Sequence, residues 1–158
     1  MPAKQAQAGF TLIELIVIMI LLGVLSAVAY PRLSGTQFDE VGFRDQVAAT
    51  LGYARKAAVA QRRNVSVSLS GNSLKFRIAN NIADPTDPFS VPAAASRDLL
   101  LPGVGAAQIA PRGAATLSGP ATLVFTPLGA AAPGTYIYTI AGSMTRTVTV
   151  DSASGYVY

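Results

Sequence analysis

One carboxylate, Glu14, stands near the start of the run GFTLIELIVIMILLGV (residues 9–24), whose other members are apolar apart from Thr11. An acid held in hydrocarbon costs roughly 2.5–3.5 kcal/mol even on insertion-based scales, so such a residue normally faces a partner. Other chemistry is sparse. The chain has no histidine and no cysteine, which removes the usual general base near neutral pH, thiol nucleophiles and the commonest metal ligands. Lys56 and Lys75 are the only lysines outside the first nine residues, and neither lies in a catalytic motif, so no enzyme activity, cofactor or metal site is expected. Asp84-Pro85-Thr86-Asp87-Pro88 holds two carboxylates, short of the six to eight oxygens a calcium ion takes, and reads as a turn.

The elements around Glu14 follow from patterning. Phe10 to Tyr30 is apolar apart from Thr11, Glu14 and Ser26, at about 20 residues long enough to cross a bilayer as a helix. Met1 to Gly9 is polar with one cation, Lys4, a weak form of the positive region before an export signal. Gly23, Ser26, Ala27 and Ala29 form a small-residue patch of the kind that lets helices approach closely. Pro31 should kink or interrupt the helix, because it lacks an N–H and clashes with the carbonyl four residues back.

A second, amphipathic helix is expected from about Phe38 to Gln61. Phe43, Val47, Leu51, Ala54 and Ala58 recur at helical spacing, with most charges elsewhere. Arg55, Lys56, Arg62 and Arg63 are the densest cations. With a formal net charge of only +4, they read as a solvated helix face near the negative end of the macrodipole, not as a nucleic-acid footprint.

After Asn64 the period changes to two. Val65–Leu69 and Leu74–Ile78 alternate around Ser70-Gly71-Asn72-Ser73, a β-hairpin pattern. Residues 80–119 are rich in Pro, Ala, Gly and Asp and read as irregular, with a short strand near 98–101. Strands are expected again at 122–126, 135–140, 145–150 and 155–158. Tyr136 with Tyr138, and Tyr156 with Tyr158, each share a sheet face; they could form a partner-binding surface, and packing is the favoured role. Asn64-Val65-Ser66 is formally a glycosylation sequon, and it is discounted. Helices followed by strands make this an α+β chain, a long N-terminal helix packed on a C-terminal antiparallel sheet domain.

The residues Gly9-Phe10-Thr11-Leu12-Ile13-Glu14 resemble the cleavage and methylation signature of type IV pilins and of type II secretion pseudopilins. The later order of elements, with Phe125, Pro127, Gly129, Arg146–Val150 and Gly155, resembles the GspH/FimT group of minor pilins. The stretch from Leu51 to Arg63 is similar to MSHA-type, MshC-like minor pilins. The resemblance implies a pilin fold and four parts: a leader, 1–9, removed by prepilin peptidase; a transmembrane and filament-core helix, 10–30; an amphipathic helix, 31–63; and a globular head, 64–158.

It also implies N-methylation at Phe10, roles in assembly for Thr11 and Glu14, and an inner-membrane location with a periplasmic head before entry into a filament. The partners implied are the peptidase, sister pilin or pseudopilin subunits, and the assembly platform. Cleavage would give Phe10 a free amine with a pKa of about 7.7–8.0, and the amine of a neighbouring copy is the partner expected for Glu14. Two rivals follow. A DNA-uptake pilin would carry an arginine-rich tail where this sequence reads Gly155-Tyr156-Val157-Tyr158, so nucleic acid is not an expected partner. An ordinary signal peptidase could instead cut after Ala29, at Ala27-Val28-Ala29, and release a soluble domain.

Overall fold

The computed structural model describes residues 10–33, 36–82, 89–90, 95–131 and 134–158, in two compact units divided at Gly35 and Thr36. The first is helix α1, Leu12–Leu33. Thr11 opens it: its carbonyl accepts from the Leu15 N–H at 3.2 Å and its hydroxyl accepts from the Glu14 N–H at 3.3 Å. That is an N-cap bond in the Thr-x-x-Glu spacing of a capping box. The helix passes through Pro31 and ends at Leu33, so the proline does not terminate it, although its missing N–H leaves the Ala27 carbonyl without its usual donor.

The second unit starts with helix α2, Thr36–Gln61. Phe43, Val47, Leu51, Ala54 and Ala58 are all buried, the face that the spacing indicated. The helix closes on a Schellman pair, with Arg63 N–H bonded to Ala58 O at 3.1 Å and Arg62 N–H to Val59 O at 3.3 Å. The turning residue is Arg62, at φ 53°, where glycine is usual. An L-residue in that conformation costs about 1–2 kcal/mol, against about 0.5–1 kcal/mol for glycine's greater freedom in the unfolded chain. Arg62→Gly is therefore expected to stabilise the protein by about 0.5–1 kcal/mol in chemical denaturation. A loss of stability would show that the arginine side chain makes a compensating contact.

Among the described residues eight strands follow: β1 Val65–Ser70, β2 Ser73–Ala79, β3 Ser96–Asp98, β4 Gln108–Ile109, β5 Thr116–Ser118, β6 Thr122–Phe125, β7 Tyr136–Ala141 and β8 Thr145–Val150. They form a five-stranded sheet, β3-β2-β1-β6 with β4 also on β2, and a three-stranded sheet, β5-β7-β8. All pairs are antiparallel, and the β1–β2 hairpin has Val67 opposite Phe76, as its alternation requires. The strand expected near 98–101 lies at 96–98, and two further short strands occupy what read as irregular chain. The last expected strand is a single bridge, Val157 to Val150, flanked by paired bonds between Thr149 and Tyr158.

Asn72, in the β1–β2 turn, joins the sheets. Its amide donates to Ala115 O at 3.0 Å and accepts from Leu117 N–H, so one side chain substitutes for a neighbouring strand on the free edge of β5. Phe76, Phe125, Leu51 and Tyr138 are the bulkiest members of the core between α2 and the sheets. Tyr138 is fully buried, and its hydroxyl has no hydrogen-bond partner among the described residues; burial pushes the phenol well above its ordinary range. An orphaned buried hydroxyl costs about 1–3 kcal/mol. Tyr138→Phe should thus raise the unfolding free energy by about 1 kcal/mol, and a lower value would show that the hydroxyl is satisfied in solution.

Candidate functional site

At the start of α1, Phe10 is 80% exposed, and Glu14 is exposed with no side-chain partner among the described residues. Glu14 sits in the first turn of the helix, where the positive end of the macrodipole favours a carboxylate. Beyond it, an 18-residue window from Leu12 to Ala29 has mean hydropathy 2.8, with none of it buried. The large side chains from Leu12 to Val28 thus present apolar surface all round. Such a helix is stable only when something apolar covers it, lipid or other helices. Gly9 and the Asp84–Pro88 turn lie outside the described residues, as does the side chain of Pro31.

The second unit holds two polar clamps that connect α2 to distant turns. Glu40 is 1% exposed. Its carboxylate accepts from the Ser143 N–H, from Ser143 Oγ at 3.1 Å and from the Met144 N–H at 3.1 Å, so the start of α2 grips the β7–β8 turn. Gly142 makes the grip feasible: a Cβ there would come 2.6 Å from Glu40 Cδ. The Ser143 backbone bond, reinforced by Met144, the Ser143 hydroxyl and the Arg146 charge, holds the Glu40 carboxyl below its usual range.

Arg55 forms the other clamp. Its Nε donates to Gly129 O at 3.1 Å and to Ser154 O at 2.8 Å, fastening the loop after β6 and the turn after β8 to mid-helix. In that turn Asp151 Oδ1 accepts from Ser154 Oγ at 2.6 Å and from the Ser154 N–H at 2.8 Å, which lowers its pKa. Gly155, at φ 63°, could carry no side chain there without colliding with the Gly129 carbonyl.

The pH dependence follows from these two acids. A carboxyl whose folded pKa lies below its unfolded value contributes stability that is complete above the unfolded value, about 4.3 for Glu and 3.9 for Asp, and is lost as the pH falls through the folded value. The thermal midpoint should therefore fall on acidification below about pH 4.5. In Glu40→Gln, already less stable at neutral pH, that fall should be shallower. An acid slope equal to that of the parent would remove Glu40 from the account.

The basic group does not behave as one exposed face. Arg55 is used internally, Arg63 reaches Ala79 O at 3.4 Å, Arg62 forms the helix cap, and Lys56 is exposed. Elsewhere Arg44 contacts Thr147 O and Asp45, Arg77 holds Ser96 and Asp98, and Arg97 meets Gln61 Oε1. The tyrosines divide. Tyr138 is buried and Tyr136 packs against the core, whereas Tyr156 and Tyr158 are stacked at 6.2 Å with 62% and 60% of their surface exposed. Asn64 is buried and its Nδ2 donates to Ser90 O at 2.9 Å, which is incompatible with its modification in the folded chain.

Comparison with known proteins bears on both units. The family model described as type II transport protein GspH matches residues 44–154, and the prokaryotic N-terminal methylation motif matches residues 4–30. A crystal structure of the Pseudomonas aeruginosa type IV minor pilin FimU superposes with a TM-score of 0.54 at 21% identity, covering 78% of this chain and 90% of that one. A second crystal form of FimU gives 0.48 at 20% identity, over 73% and 87%. At these identities the likeness concerns the fold, which is that of FimU: an apolar N-terminal helix, and a second helix packed on antiparallel sheets. No curated protein sequence matches the chain significantly.

Proposed function

Since this chain belongs to the GspH family of type II transport proteins, type IV pilin-like structural subunits, we propose that it is a minor subunit of a type IV pilus or a type II secretion pseudopilus. In this reading prepilin peptidase removes residues 1–9, and Phe10 is N-methylated. Residues 10–30 hold the protein in the inner membrane with its head in the periplasm until the assembly platform packs α1 into a filament. No nucleic acid, cofactor or catalytic step belongs to the reading.

The observation that carries it is the exposed apolar surface of α1 from Leu12 to Ala29, with Glu14 four residues after the expected cut site. In the membrane lipid covers that surface, and in a filament neighbouring copies do. The same transfer brings Glu14 within reach of a neighbour's Phe10 amine, and pairing relieves the cost of burying either charge. The matched methylation motif supports processing at this site. The unbroken helix across Ala29 and Tyr30 speaks against release by a signal peptidase, which needs extended chain at its site. Fractionation of the native host tests the reading. The chain should stay with membranes through an alkaline wash and appear in filaments sheared from the cells, or retained in the periplasm; recovery as a soluble periplasmic protein would refute it.

A further inference from the structure

The Arg146 side chain is short of acceptors. It lies on β8 opposite Ile140, half-buried, and its guanidinium carries five N–H donors with a permanent charge. Among the described residues its one hydrogen-bond partner is a sulfur: Nη2 stands 4.0 Å from Met144 Sδ, and a thioether is a weak acceptor. Nε is buried with no partner, and no carboxylate of the described residues lies within ion-pair distance. The Glu40 carboxylate, whose charge Arg146 supports, is already held by Ser143 and Met144. Met144 is 52% exposed, with its N–H fixed on Glu40. It is the only methionine after Met19, in a chain without cysteine.

We propose that Met144 is a site of reversible oxidation by hydrogen peroxide, and that Arg146 holds the sulfoxide it becomes. The step needs no other reactant. A lone pair of Sδ attacks one peroxide oxygen, and the S–O bond forms as the O–O bond breaks. Sulfur gives up two electrons, the peroxide is reduced, and the proton left on the transferred oxygen joins the departing hydroxide as water. Exposure leaves the sulfur open to this attack. The product replaces a weak acceptor with a strong one, on an atom that already meets the guanidinium, and a hydrogen bond from a cation is roughly twice as strong as a neutral one. Sulfoxides ordinarily do harm by putting a polar group into apolar packing. Here the side chain is more than half in water, and the new oxygen meets a cation with donors to spare. Oxidation therefore fastens the turn that Glu40 grips more firmly to β8. The proposal goes beyond the subunit role and does not depend on it.

The test treats the full chain, in detergent, with hydrogen peroxide and follows Met144 by the mass of its peptide. Addition of one oxygen is expected, at a rate close to that of a free methionine peptide. The thermal midpoint should then rise by about 2–4 °C, and a pair of methionine sulfoxide reductases, one for each epimer, should return it to its starting value. In Met144→Leu, where Met1 and Met19 remain to react, no rise is expected. In Arg146→Ala the oxygen should still be added and the rise should vanish. That comparison is between the oxidised and unoxidised forms of one variant, so the variant's own stability drops out. A Met144 that stays unoxidised while the free peptide reacts would overturn the proposal. So would a midpoint that oxidation leaves unchanged or lowers, or an equal rise in either variant.

Discussion

Gly142→Ala is expected to lower the thermal midpoint on the order of 10 °C, by a mechanism of steric exclusion and not of backbone propensity. The new Cβ would occupy the position of the Glu40 carboxylate. That carboxylate would then have to leave the Ser143 and Met144 donors or push the β7–β8 turn off α2. The first response deprives the buried Glu40 carboxylate of its donors, and the second opens the contact between the turn and the helix. Two further variants distinguish this from a general effect of substitution at a turn. In a Glu40→Ala background, Gly142→Ala should cost much less than in the parent, since contacting sites couple. Ser143→Ala, which removes one of the three bonds, should fall between. Full additivity of the double variant would separate Gly142 from Glu40.

The second large effect concerns assembly. Glu14→Ala should reduce the amount of chain in filaments by about tenfold or more, because the Phe10 amine of a neighbour would be buried without its partner, and a stranded buried charge costs about 3–5 kcal/mol. Glu14→Asp keeps the charge on a shorter arm and should restore part of the incorporation. Membrane insertion should not suffer, since losing an acid from an apolar helix favours hydrocarbon. Cleavage of the leader is also expected to persist, with Gly9 and Phe10 unchanged. The defect is thus specific: mature, membrane-held protein that does not enter filaments. Equal incorporation of Glu14→Ala and the parent would eliminate the pairing.

The stripe Phe43–Ala58 and the β1–β2 hairpin were legible because each is local, a repeat of side-chain type at the period of its own backbone. Glu40 was not. A carboxylate on an amphipathic helix ordinarily faces water, and its donors are 103 residues away, so nothing local marks the contact. A signal does exist in retrospect: Glu40 stands three residues before Phe43, on the buried stripe, and a glycine lies in the turn it grips. Arg55 was hidden for the same reason, its two acceptors being backbone carbonyls of remote loops.

Strands β3, β4 and β5, two or three residues long, are too short to show alternation, and pairing with β2 and β7 defines them. Tyr156 and Tyr158 have the same spacing as Tyr136 and Tyr138, yet both are exposed on the outermost segment of the sheet, with Tyr156 beside Arg55 and Lys56 of α2. Spacing reveals that two residues share a face but not which face is covered. At Pro31 the rule used was a local one, and α1 continues through it to Leu33. The apolar N-terminal helix and its acid, by contrast, were legible from composition alone.

The account rests above all on maturation at Gly9 and Phe10, and the mass of the N-terminal peptide of protein taken from its native host tests that most directly. A peptide starting at Phe10 and carrying one added methyl is the predicted result. A peptide starting at Tyr30 would contradict it, since that cut removes Glu14 and the apolar helix on which anchoring and assembly depend.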